Sequence, residues 1–176
     1  LNMRYLKNFI ILLFFCSILS INLKAEIPHF LDFKLILNES NAGKKAQSFL
    51  QSKLENGIKD INQKQKKIQE EEKKIIEQKK IISSDEYKKK VNSLRIKVSS
   101  LQKDRNKLIE EVAKKRAKAR KELLNNLNPI VENYMKEKKI RIVLDKKSIL
   151  LGDENLDITK DIMALLNKKL KSINLN

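Results

Sequence analysis

From Leu54 onward, apolar residues recur at intervals of three and four: Leu54, Ile58, Ile61, Ile68, Ile75 and Ile82 keep one heptad register. A polar turn, Ser83-Ser84-Asp85-Glu86, interrupts it, and the spacing restarts at Tyr87, Val91, Leu94, Val98, Leu101, Leu108 and Val112. At 3.6 residues per turn each series forms a single stripe. Two stripes joined by a short turn can bury each other only by folding back antiparallel. With the turn centred near Ser84, facing residues have numbers summing to about 169, so Ile82 meets Tyr87, Ile75 meets Leu94, Ile68 meets Leu101 and Ile61 meets Leu108. The pattern predicts a long coiled-coil hairpin whose outgoing arm is roughly 60 Å long at ~1.5 Å per residue.

The seam is not uniformly apolar. Gln65, Glu72 and Lys79 share one heptad position, and Arg105 and Lys115 interrupt the returning stripe. Polar groups in a seam destabilise it unless they are paired or solvated. Two readings stay open: residues that select the register, or a wet and bendable distal arm. Gly57 is expected to weaken the outgoing arm locally. Ser83-x-x-Glu86 has the capping-box pattern that starts a helix. Pro129, after Asn125-Asn126-Leu127-Asn128, should bend the returning arm near its base.

Outside the hairpin the periodicity changes. Ile27 to Leu37 is rich in β-branched and aromatic residues and reads as a strand, leading to a helix start at Asn38-Glu39-Ser40 that Ser40 or Asn41 can cap. Ile140 to Leu144 and Ser148 to Leu151 read as two more short strands, with a turn from Gly152 to Asn155. Thr159 then caps a last amphipathic helix. The first strand has no partner other than these two, so sequence-distant ends close into one small body from which the hairpin projects. The fold class is α+β, mainly α: 26–40 gives the first strand of the body, 41–139 the arms with their tip at 83–86, and 140–176 two strands and the final helix.

Residues 1–25 carry a different signal. Arg4 and Lys7 precede the apolar run Phe9 to Ile21, and Asn22-Leu23-Lys24-Ala25 follows. A membrane anchor would need ~20 apolar residues, whereas this run is shorter and broken by Ser17 and Ser20. It reads as a signal peptide cleaved after Ala25, which marks the mature chain for export. The single cysteine, Cys16, would leave with it. Without disulfides, and with aromatics at only 5% against 35% charged residues, stability must come from helix packing or from association with other chains.

Charge sharpens the picture. The formal net charge is +17, or +14 once Arg4, Lys7 and Lys24 are removed. From Tyr87 to Lys121 fourteen Lys or Arg face three acidic residues, Asp104, Glu110 and Glu111. Like charges at helical spacing repel, so this one-sided excess calls for a negatively charged partner. Nucleic acid is not expected, because single-strand recognition interleaves stacking aromatics with the charge and the arms offer only Tyr87. Anionic membrane headgroups would attract the lysines, but the arms lack an inserting apolar face.

No catalytic constellation is present. His29 is the only histidine and reads as structural. Asp153, Glu154 and Asp157 lack the oxygen spacing of a calcium loop. No His, Cys and carboxylate cluster for a metal exists, and three glycines cannot form a phosphate cradle. No enzyme, metal or cofactor is expected.

The segment Leu31-Asp32-Phe33-Lys34-Leu35-Ile36-Leu37-Asn38-Glu39-Ser40-Asn41-Ala42-Gly43-Lys44-Lys45-Ala46 resembles the opening of the Skp/OmpH family of periplasmic chaperones, whose usual form is close to VDVQKVLNESPAGKKA. Ile142-Val143-Leu144-Asp145-Lys146-Lys147-Ser148-Ile149-Leu150-Leu151, followed by Leu156-Asp157-Ile158-Thr159, is similar to the family's closing strands and last helix cap. Pro129 matches a proline where the family's arms meet the body. The departures are Pro28 at the strand start and Leu151 where an aromatic is common. The resemblance implies a homotrimer with a central β body and three hairpins hanging like tentacles around a cavity. It also implies an ATP-independent holdase that keeps unfolded outer-membrane β-barrel proteins from aggregating. On that view Lys66, Lys73, Lys80, Lys88, Lys89, Arg95 and Lys97 contact clients, and Leu31, Phe33, Ile142, Leu144, Ile149 and Leu151 make the lateral trimer contacts. Contact with anionic lipid or lipopolysaccharide is compatible with the same charge. The alternative is a periplasmic coiled-coil adaptor that docks envelope components through the hairpin tip.

Overall fold

Strand β1, His29–Leu31, opens the computed structural model, which describes residues 27–175; the expected signal peptide, 1–25, lies outside the described residues. Helix α1 (Phe33–Glu39), α2 (Asn41–Gln78), α3 (Ser84–Lys138), strand β2 (Val143–Asp145) and α4 (Thr159–Lys169) follow, with 3-10 turns at Lys146–Ser148 and Glu154–Leu156. The architecture is mainly α: a long antiparallel hairpin, α2 and α3, rises from a small body containing a two-stranded sheet.

The sheet joins the two ends of the chain. β1 runs parallel to β2 with His29 opposite Val143, Phe30 opposite Leu144 and Leu31 opposite Asp145, and Phe30 also bridges to Asp157. The expected strands were longer than those that form. Residues from Phe33 to Leu37 are helical, because Asp32 accepts a hydrogen bond from the Leu35 amide (2.8 Å) and starts α1. Ser148–Leu151 forms no strand: Asp145 caps a 3-10 turn that ends on Ser148, leaving Leu150 and Leu151 in an exposed bend.

Thr159 also differs from expectation. It is the first residue of α4, and Ile158 at the cap position supplies no side-chain bond. The Thr159 hydroxyl instead accepts from the Asp32 amide (2.9 Å) and donates to Asp157, while Asp157 accepts from the Thr159 amide (2.9 Å) and from Lys146 Nζ (2.7 Å). These bonds tie the end of β1 to the start of α4. Burial pushes the Asp157 carboxyl up, but the hydrogen bonds from Lys146 and Thr159 outweigh it and leave the group below the usual aspartate value. Leu31, Ile36, Leu127, Ile162 and Leu166 are fully buried together beneath the sheet.

The corner between α1 and α2 sets how the arms leave the body. Ser40, fully buried, accepts from the Gly43 amide (3.1 Å) and caps α2, as the sequence suggested. Asn41 donates its amide to Asn167 of α4 (2.7 Å), Glu39 pairs with Lys44 (3.0 Å) and Asn38 accepts from Gln47 (2.9 Å). Gly43 lies so close to the Leu37 carbonyl that no side chain fits between them. The Asn-Glu-Ser-x-x-Gly stretch is therefore a helix–helix corner, each residue with a separate task.

Register along the arms follows expectation in the distal half. Lys90–Gln78, Lys97–Glu71, Lys64–Asp104 and Arg105–Gln65 each keep the expected residue-number sum of 169 to within one. Ile61, Ile75 and Leu101 are buried in the seam, whereas Ile58 and Val98, both assigned to it from spacing, are about half exposed. Nearer the base Gly57 lies against Leu108 and Lys53 pairs with Glu111 (3.0 Å). Gly57 is thus a close-approach residue: a Cβ there would lie 2.6 Å from Leu108 Cδ2. α3 is continuous through Pro129 to Lys138, where Lys139, at φ 57°, closes the helix in the left-handed conformation.

Candidate functional site

Four of the five polar seam residues find partners, and the fifth, Glu72, is exposed. Arg105 Nη2 donates to Gln65 Oε1 (2.5 Å), Lys79 lies 5.8 Å from the Tyr87 ring centroid, and Lys115 lies 5.7 Å from that of Phe49. These pairings are compatible with the register-selecting reading. At the tip, Ser83 caps α3 by accepting from the Glu86 amide (3.2 Å), while the Glu86 carboxylate turns to Lys90 (3.6 Å).

Charge lies on the arms in stripes, not in a cluster. Lys66, Lys73 and Lys80 repeat every seven residues, two positions before Ile68, Ile75 and Ile82. Two residues correspond to about 200° around a helix, which directs these lysines away from the seam. Lys88 and Arg95 follow Tyr87 and Leu94 by one position, about 100° round α3. All seven candidate contact residues are exposed. Lys97 is committed across the seam to Glu71 (2.6 Å) and Lys88 is near Asp85 (3.9 Å), while the other five carry no ion pair. The structure therefore brings these residues onto two faces of a rod and does not converge them on one point. Nearer the base, Lys114 pairs with Glu110 (2.5 Å), and Arg116 and Arg120 border an open groove of about 510 Å³ floored by Leu37, Leu50 and Leu123.

The body carries the second notable surface. Ile142 (56% exposed), Leu144 (41%), Leu150 (96%) and Leu151 (91%) are exposed apolar residues in and around β2, whose second edge has no partner strand among the described residues. Of the six residues expected to contact neighbouring chains, Leu31 is fully buried in the chain's own core, and Phe33, on helix α1, packs against that core. Their burial needs no second chain. Ile149 is half-buried near Phe30 and Gly152. Leu150 was missed because strand alternation assigns it the face opposite Ile149 and Leu151; with no strand there, both leucines project outward.

Among the described residues no group of His, Cys, Asp and Glu could hold a metal, and no helix is long and apolar enough to cross a membrane. Tyr134 is the strongest electrostatic perturbation: burial, then its 2.5 Å hydrogen bond to Asp161, raise its phenol to about 12. That bond fastens α3 to α4, and Tyr134 borders an open groove of about 300 Å³ with Glu137 and Lys168.

Comparison with known proteins agrees with this architecture. An uncharacterized protein of Aquifex aeolicus (strain VF5) is 29% identical over 137 residues, 78% of this chain and 83% of that one. A crystal structure of a candidate outer-membrane chaperone (OmpH-like) from Caulobacter crescentus CB15 superposes with a TM-score of 0.78 at 19% identity, covering 84% of this chain and 89% of that chain, a likeness of fold. The family model for outer membrane protein (OmpH-like) matches residues 29–166, from the first strand to the last helix. The chain belongs to the Skp/OmpH family, that of the OmpH-like outer membrane proteins.

Proposed function

We propose that this chain is an ATP-independent periplasmic holdase that captures unfolded outer-membrane β-barrel proteins and keeps them from aggregating. The observation that carries this reading is the returning arm: fourteen basic residues against three acidic ones between Tyr87 and Lys121, spread over an extended rod. A specific docking protein would concentrate its contacts; a stripe of cations instead attracts an unfolded acidic chain along its length by long-range charge. Apolar groups left exposed on the arms, including Ile96 (70%), Ile109 (65%) and Val98 (50%), add weak contacts that gain strength by number. The exposed apolar residues Ile142, Leu144, Leu150 and Leu151 support assembly into the homotrimer the family resemblance implies, with arms around a shared cavity. The same cations suit contact with anionic lipid or lipopolysaccharide.

A second reading, an adaptor that docks envelope components through its tip, rests on Ile76 (60% exposed) and Ile81 (82%) beside Ser83–Tyr87. One assay separates the two. A urea-unfolded outer-membrane barrel is diluted into buffer with and without the protein, and aggregation is followed by light scattering. A holdase suppresses it near three chains per client, also after Ser83–Tyr87 is replaced by a plain turn. No suppression at excess protein overturns the holdase reading.

A further inference from the structure

After α4 the chain turns back across the root of the arms. Leu175 is buried (4% exposed) in a second apolar cluster with Ala46 and Leu50 of α2 and Val112 and Ala119 of α3, and Ile173 packs against both this cluster and the body's core. The segment is not helical: Leu170 ends α4 in an extended conformation, and no regular structure follows. Lys115 Nζ donates to the Leu175 backbone carbonyl.

This seat is unlike the charged stripes of the outer arms. Its walls are small and aliphatic, so they accept apolar side chains of varied shape, and Lys115 makes its contact to the backbone. The tail in it reads Ser172-Ile173-Asn174-Leu175, with the apolar residues half-buried or buried and Ser172 and Asn174 exposed. Polar–apolar alternation in extended chain is the pattern of a β-strand with one apolar face. Strands of outer-membrane barrels alternate in the same way, apolar toward lipid and polar toward the lumen.

We infer that the seat formed by Ala46, Leu50, Val112, Ala119 and Lys115 is a docking site for extended, alternating segments of unfolded β-barrel clients, and that Ile173–Leu175 is its intramolecular occupant, which a client segment displaces. This rests on the holdase reading and adds to it a defined contact and a competition. Lys115 recognises a carbonyl that every client strand carries. With the tail seated, apparent client affinity is divided by the fraction of time the seat is open.

The test measures binding of a dye-labelled, urea-unfolded barrel by fluorescence anisotropy, with helix content and thermal unfolding recorded for each variant. Leu175→Ser, which empties the seat, should bind the client about tenfold tighter, the gain expected if the tail is seated about nine-tenths of the time. A Cys16→Ser background carrying Val112→Cys and Leu175→Cys should lose client affinity when oxidised, which pins the tail, and recover it on reduction; this second variant keeps the seat filled and does not depend on the tail's removal being tolerated. If the unaltered protein binds client and both variants bind it equally well, or Leu175→Ser binds it more weakly, the docking site is refuted while the holdase reading stands. If no form binds client, the holdase reading itself fails.

Discussion

Replacing Gly43 by alanine should destabilise the protein although alanine is the better helix former. Gly43 is in the first turn of α2, where the gain in helix propensity is at most ~1 kcal/mol. The added Cβ would fall inside contact distance of the Leu37 carbonyl oxygen, 3.0 Å from the Leu37 carbonyl carbon and 2.9 Å from Ser40 Oγ. Backbone atoms of α1 cannot turn aside as a side chain can, so the corner must open. Overpacking of this kind costs about 1–3 kcal/mol, and moving Ser40 off the Gly43 amide removes a cap worth ~1 kcal/mol. The balance is a loss of about 1–3 kcal/mol, a Tm lower by roughly 2–12 °C for a chain of this size. Circular dichroism melts at equal protein concentration measure it, with Gly57→Ala as the control. There the new carbon meets only the Leu108 side chain, 2.6 Å from Cδ2 and 3.1 Å from Cγ. Leu108 is half-buried and free to rotate, so the change should stay within about 1 kcal/mol. A Gly43→Ala Tm equal to or above that of the unaltered protein, or a larger loss for Gly57→Ala, would refute the reasoning.

Three other outcomes follow from the same structure. The Tyr134 phenol is raised in the folded state, so its contribution is complete below the unfolded value of about 10 and is lost as pH rises through about 12; Tyr134→Phe should show a smaller alkaline loss of stability in that window in urea titrations. The Asp157 carboxyl is lowered, so its contribution is complete above the unfolded value of about 3.9 and disappears as pH falls through the lower folded value; Asp157→Asn should be less stable at neutral pH and less acid-sensitive below about pH 4. Leu150→Asp with Leu151→Asp, at 96% and 91% exposure, should leave the helix content of each chain intact and lower the solution mass toward one chain in multi-angle light scattering; an unchanged mass excludes these leucines from the assembly.

The hairpin was legible because heptad spacing is a local property of sequence that survives folding: Ile61, Ile75 and Leu101 are buried where their spacing put them. The close approach of Leu108 to Gly57 was not, because it is a contact between residues 51 positions apart. Hydrophobic composition alone could not tell β1 from α1. Phe33 to Leu37 suits a strand by residue type, and Asp32, a capping residue two places before Lys34, was the overlooked cue to a helix. Ser148–Leu151 likewise suits a strand in isolation, but Asp145 holds a turn there by accepting from the Lys147 amide (3.2 Å). For the charged arms, sequence supplied the cations but not their facing. Lys97 looked like its neighbours until Glu71 appeared across the seam. The seat of Leu175 left no sequence signal beyond the alternation of the tail itself.

The chain contains no tryptophan, so the emission of a tryptophan-bearing client reports on the client alone. Titrating an unfolded outer-membrane barrel with the protein at ~0.05 M and ~0.5 M salt, and again after replacement of Ser83–Tyr87, measures capture and its electrostatic share together. Distributed capture by basic arms predicts saturable binding that weakens at the higher salt, where charges are screened within about 5 Å, and is unchanged by loss of the tip. Absence of binding at low salt, or binding abolished with the tip, would contradict it.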